Sequence, residues 1–205
     1  KDQQIAKDAT VVKKLDEAGA VLLAKFSLGS LAMDDVWFGG LTRNPWDLNQ
    51  GSSGSSAGSA AATAAGLVPF AIGTETWGSI VSPSNRCGVT GLRPTFGRVS
   101  RTGGMALSWS MDKVGPICRS AFDCALVFNS LLGADGFDQS VTSYPFNFNP
   151  LTDIKKLKVG YLASLFGQDD ENRANDSISL EVFRKMGITL SPVSLPDSAT
   201  IPVKS

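Results

Sequence analysis

The sequence contains no histidine. That absence removes Ser-His-Asp and Cys-His catalysis from this chain, because both need an imidazole as base. Zinc sites usually draw on histidine or clustered cysteine, and the three cysteines, Cys87, Cys118 and Cys124, are scattered. No metal or cofactor is therefore expected. An odd number of scattered cysteines is also a poor disulfide framework, so free thiols in a reducing compartment, the cytoplasm, are expected. No charge excess exists: Lys+Arg and Asp+Glu are both 19. Nothing favours direct electrostatic capture of nucleic acid or of an anionic membrane, and no apolar run approaches the length that spans a bilayer. Proton transfer near neutral pH falls to lysine, carboxylates, cysteine, tyrosine or serine hydroxyls.

What is present reads as a globular α/β chain. Of its 205 residues, 42% are hydrophobic and 19% charged, enough apolar material for a large core. Apolar spacing predicts a helix over residues 6–18, stopped by Gly19. The run 20–24 (AVLLA) reads as a short buried strand of the parallel-sheet type. A short helical stretch is expected around 28–33, and a small-residue helix over 60–65 ended by Gly66. Strands are expected at 67–72, 157–162 and 188–195, and helices at 121–132 and 178–186. Residues 73–80 should form a tight loop. No fixed-period repeat is present.

Residues 51–59 (GSSGSSAGS) have the composition of a flexible linker. They run straight into the alanine-rich segment, whose small side chains suit a closely packed helix, so the block is expected to be ordered. Three chemistries could use it. A Gly-x-Ser-x-Gly elbow is matched at residues 54–58 with Ser56 central, but that motif needs a histidine. A phosphate loop needs a Gly-Lys-Ser/Thr ending, and no lysine lies between Lys25 and Lys113. A serine network with lysine as the ultimate base remains.

Residues 54–69 (GSSAGSAAATAAGLVP), 73–80 (GTETWGSI) and 87–100 (CGVTGLRPTFGRVS) carry a resemblance to the amidase-signature family. Residues 8–12 (DATVV), 18–25 (AGAVLLAK), 112–116 (DKVGP) and 123–125 (DCA) extend it, densely from 8 to 136 and loosely beyond. The resemblance implies a mixed β-sheet core with helices on both faces, in a single incomplete domain spanning 1–205. It implies an amidohydrolase for a small-molecule carboxamide that works without cofactor or metal. By motif, Ser79 resembles the nucleophile that forms an acyl-enzyme, and Ser55 the serine after a cis peptide bond that relays protons to a neutral lysine. The backbone N–H groups of Thr76, Trp77, Gly78 and Ser79 would form the oxyanion hole, where a lost donor typically costs about 3 kcal/mol of barrier. Lysine acts as a base only when burial depresses its pKa from about 10.4.

The chain departs from the family pattern in three places. Trp77 stands where many members have glycine, and its indole is expected to line the substrate pocket. Val81 stands where many have arginine, which argues against a carboxylate-bearing or glutamine-like substrate. The family's base precedes the helix containing Val11, so the chain alone is expected to be inactive, with an exposed apolar sheet edge or face. Lys25 reads as a strand-end residue, and Lys1 and Lys7 as solvated charges. Two other functions share these motifs: a non-catalytic amidase-like binding domain, and the glutaminase-type subunit of a tRNA-dependent amidotransferase.

Overall fold

The structure, a computed structural model, describes residues 5–165 and 173–195. They belong to two compact units, Lys1–Phe148 and Asn149–Ser205. Lys1 lies outside the described residues; Lys7 is exposed.

The first unit opens with α1, Thr10–Glu17, which starts later than the apolar pattern suggested. Gly19, in left-handed backbone, closes it as expected. Residues 20–24 correct the expectation of a buried strand. They form no strand, and Val21, Leu22 and Leu23 are 79%, 67% and 66% exposed. The apolar face expected at the surface is there, but on irregular backbone rather than on a sheet edge. A 3-10 turn, Ser30–Ala32, replaces the short helix. Two small antiparallel pairs follow, β1 (Val36–Trp37) with β2 (Gly40–Leu41) and β3 (Arg43–Asn44) with β4 (Asp47–Gly51).

The Gly/Ser block is ordered. Ser52 and residues 55–59 are buried, Ser52 N–H donates to the Thr42 carbonyl, and Gly58 N–H donates to the Ser27 carbonyl. It feeds α2, Ala57–Ala64, and Gly66 follows with φ +73°. Next come β5 (Phe70–Glu75), α3 (Val81–Cys87) and β6 (Thr90–Gly91), then β7 (Lys113–Cys118) and α4 (Ala121–Leu131). The β5 strand takes in residues 73–75, which the sequence suggested would be loop. β7 is the middle of an antiparallel sheet in the order β5-β7-β6.

Two clusters cover this sheet. Ala60 of α2 packs with Ile80, Cys87 and Ile117. Val99, Val114, Phe128 and Leu131 form the other, sealed by Val11 and Leu15 of α1. Ser120 caps α4: its hydroxyl accepts from Asp123 N–H, one of the orphan donors at the helix start, and donates to the Asp123 carboxylate.

Asp135 fastens the loop after α4 to the rest. It accepts from the hydroxyls of Thr10 and Ser100 and from the N–H groups of Phe137 and Asp138. Burial pushes its pKa up, but these hydrogen bonds outweigh that and hold it well below the usual carboxylate range. Asp138, paired with Arg101, is held low as well. Below about pH 4, the ordinary aspartate value, the unfolded chain therefore binds more protons than the folded one. Stability from these groups is complete above that pH and falls as pH drops further. Asp135→Asn should lower Tm at pH 7 and flatten its decline between about pH 4 and pH 2. A calorimetric series would check this; an unchanged acid slope would contradict it.

The second unit is β8 (Val159–Leu162), α5 (Arg173–Lys185) and β9 (Leu190–Val193), with the two strands parallel. Parallel neighbours require a crossover, which a helix usually supplies. The strand–helix–strand order matches the sequence expectation, though α5 begins earlier. No helix among the described residues is long and apolar enough to cross a membrane.

Candidate active site

Two loops bring the candidate serines to one pocket. The first leads from β4 into α2; its Gly54–Ser55 peptide bond is cis, and Ser55 is 3% exposed. The second leads from β5 into α3 and carries Ser79. Both serines line the pocket together with Thr74, Thr76 and Val114. Among the described residues their hydroxyls do not hydrogen-bond each other, contrary to the contact expected of a relay. Catalytic hydrogen bonds commonly tighten only around substrate.

The loops are stitched by a residue to which the resemblance assigns no role. Ser56 donates its hydroxyl to the Thr74 carbonyl at 3.1 Å and accepts from Thr74 N–H at 3.0 Å. Its own N–H donates to the Ser79 carbonyl at 3.1 Å. Ser56 thus holds Ser55 and Ser79 in mutual register. A Cβ on Gly73 would come within 2.8 Å of the Ser56 hydroxyl, so only glycine allows β5 this close. The signal for Ser56 is its place in the Gly/Ser block, where Ser55 draws attention by resemblance.

Glu75 shapes the second loop. Its carboxylate, 3% exposed, accepts from the N–H groups of Ile80 and Val81 at 2.8 and 3.0 Å. Arg93 stands 3.6 Å away. Taking the first donors of α3 onto a carboxylate also suits the positive end of the helix dipole. The four N–H groups before them behave differently. No backbone hydrogen bond outside the helices and strands is donated by Thr76, Trp77, Gly78 or Ser79. Gly78 has φ +119°, whereas Trp77 is not in left-handed backbone. The conformation that favours glycine therefore falls one residue after the tryptophan, which is why a bulky side chain fits at 77. Trp77 does not form the pocket wall expected of it: its indole is 91% exposed and lies outside the lining.

Asp112 ties the second loop to the neighbouring segment 105–109. It accepts from the Thr76 hydroxyl at 2.5 Å and from the N–H groups of Leu107 and Ser108 at 2.7 and 3.0 Å. Burial raises its pKa, but these donors together hold it below the ordinary value, so it is ionised at neutral pH. Lys113 also lines the pocket, and its ammonium donates to the Thr76 carbonyl at 3.1 Å. Lys25 is exposed and stands outside the pocket wall. Burial pushes the Cys87 thiol up to about 11, far from a thiolate nucleophile at neutral pH.

Fold and pocket define an α/β protein that brings two loop serines to one pocket. The amidase family model matches residues 1–203. A glutamyl-tRNA(Gln) amidotransferase subunit of Roseiflexus castenholzii is 43% identical over 197 residues, covering 92% of this chain and 40% of that protein. The solved glutamyl-tRNA(Gln) amidotransferase subunit of Thermotoga maritima superposes with a TM-score of 0.87 at 34% identity, covering 95% of this chain and 45% of that one. The native peptide amidase of Stenotrophomonas maltophilia gives 0.82 at 35% identity, over 94% of this chain and 42% of that one. The chain belongs to the amidase family. It spans about two fifths of the length of the curated relatives it matches.

Proposed function

We propose that the protein is an amidohydrolase that cleaves the C–N bond of a carboxamide through an acyl-enzyme on Ser79. The observation that carries this is the loop at residues 76–79, whose four N–H groups donate no backbone hydrogen bond outside the helices and strands among the described residues, beside a serine that lines a pocket. Attack by Ser79 Oγ turns the carbonyl oxygen into an oxyanion, and preorganised donors stabilise it without reorganising during the reaction. Ser55 takes the proton from Ser79 and returns it to the departing nitrogen, and a lysine serves as the base toward Ser55. Neither lysine near the motifs is assigned that role: Lys113 is engaged by the Thr76 carbonyl and Lys25 is exposed. The chain by itself is accordingly expected to turn over no amide, and rates are to be measured on the full-length protein that contains it. The three free thiols support a reducing compartment, the cytoplasm.

A second reading is a glutaminase-type subunit that passes ammonia to partner subunits. The 43% identity to a glutamyl-tRNA(Gln) amidotransferase subunit favours it; Val81 in place of arginine argues against it.

A fluorophosphonate probe tests the assignment. It should modify Ser79, located by peptide mass, and Ser55→Ala should slow labelling by about 100-fold, the usual scale of acid–base assistance. Label on another residue, or an unchanged rate in Ser55→Ala, would sink the relay.

A further inference from the structure

Two of the three charged groups in the pocket wall, Arg101 and Asp112, are engaged by several groups of the protein itself. Arg101 gives Asp138 three hydrogen bonds, from its backbone N–H at 3.0 Å, Nε at 3.0 Å and Nη2 at 3.2 Å. Nη2 also reaches the Ser140 hydroxyl at 3.0 Å, and Nη1 the Trp109 carbonyl at 2.6 Å. The guanidinium also lies over the Phe96 ring, 4.7 Å from its centroid. Lys113 is held by the Thr76 carbonyl. Asp112 is occupied by Thr76, Leu107 and Ser108. Arg101 and Asp112 thus have their hydrogen-bonding groups engaged within the protein, while the Lys113 ammonium, bound to one neutral carbonyl, remains the one charged group of this wall with donors to spare among the described residues.

The same anchors hold the backbone at residues 107–109. Arg101 holds the Trp109 carbonyl and Asp112 holds two N–H groups. Yet the side chains between these anchors are turned outward: Met105, Leu107 and Trp109 are 93%, 58% and 79% exposed. All three line the pocket that contains Ser55 and Ser79. Exposed apolar side chains occur throughout the described residues; these three are set apart by lining one pocket together. Here charged residues hold the main chain while apolar surface is presented next to the nucleophile.

We propose that Leu107 and Trp109 form an apolar subsite that selects carboxamides bearing an uncharged, aromatic-sized group, in preference to glutamine. The proposal rests on the reading of Ser79 as nucleophile, since that places the scissile carbonyl. Asp112 is a positioning residue: it links the Thr76 loop to Leu107 and Ser108 and sets the distance between carbonyl and subsite. Trp109 offers a ring face for offset or edge-on contact with an aryl group, beyond the gain from burying its area.

Binding separates this inference from the chemistry. The probes are 3-phenylpropanamide, acetamide and L-glutamine, titrated calorimetrically into the full-length Ser79→Ala protein, with kcat/KM measured in parallel on the wild type. The aryl amide should bind at least about 10-fold tighter than either other amide, a difference of 1.4 kcal/mol. Trp109→Ala should reduce that preference by about 10-fold, Trp109→Phe should restore most of it, and Leu107→Ala should reduce it in a variant whose ring is intact. Thermal melting identifies any variant that has lost its fold. Tighter binding of glutamine, no preference for the aryl amide, or a preference that survives both alanine variants would overturn the proposal. If instead the preference holds while Ser79→Ala still turns over substrate, the subsite stands and the nucleophile assignment falls.

Discussion

Ser79→Ala should lower kcat at least 1,000-fold, and losses of the nucleophile in serine hydrolases run to about a millionfold. The residue lines the pocket with Ser55, and the proposal gives the N–H groups of Thr76 to Ser79 to the developing oxyanion. An alanine leaves those donors in place, so binding should persist while the covalent step disappears. KM or Kd for an aryl amide should then stay within about 3-fold of wild type. Retention of more than about 1% of kcat would mean that another group attacks the carbonyl. Rate and affinity measured on one preparation distinguish a missing nucleophile from a collapsed site.

The second large effect belongs to Glu75, which lies outside the pocket lining and acts through the loop. Its buried carboxylate accepts from Ile80 and Val81 N–H, and hydrogen bonds to charged groups are worth about 1.5–3 kcal/mol each. Val81 is half-exposed and the Arg93 partner is exposed, so water recovers part of the loss. Glu75→Ala should therefore cost about 3 kcal/mol, seen as a fall in Tm of roughly 10 °C. With the start of α3 untethered, the N–H groups from Thr76 to Ser79 lose their aim, and misplacement of about 1 Å can cost 100-fold in rate. Glu75→Gln keeps an acceptor of the same shape and should recover much of both. A Tm within about 2 °C of wild type in Glu75→Ala would contradict the role given to this carboxylate.

Much of this site is legible in the chain before its fold is known. The resemblance to the amidase-signature motifs points to Ser55 and Ser79, and the structure puts both on one pocket. α2 and α4 are visible because small or apolar residues recur at helical spacing with caps at their ends. Central strand β7 is not. Its sequence, KVGPIC, carries a glycine and a proline that normally break a strand, and only pairing reveals it: Pro116 lies opposite Ile72, and its carbonyl accepts from Leu92 N–H. The run 20–24 fails in the opposite sense. Its composition says that it favours burial, but not what it pairs with, and no strand forms there among the described residues. Ser56, Glu75 and Asp112 lie inside the matched segments, but their roles escape a reading by motif because their work is to hold backbone N–H and hydroxyl groups of other segments. No local pattern encodes those partners. Trp77 misleads for a related reason: its position in the motif is local, but the direction of its side chain depends on how the loop turns.

The central claim is the covalent intermediate, and rapid-quench mass spectrometry of the full-length protein with 3-phenylpropanamide reads it directly. The account predicts a transient gain equal to the phenylpropanoyl group, located on the peptide containing Ser79 and absent in Ser79→Ala. Turnover with no adduct at any time point, or an adduct on another residue, would contradict it.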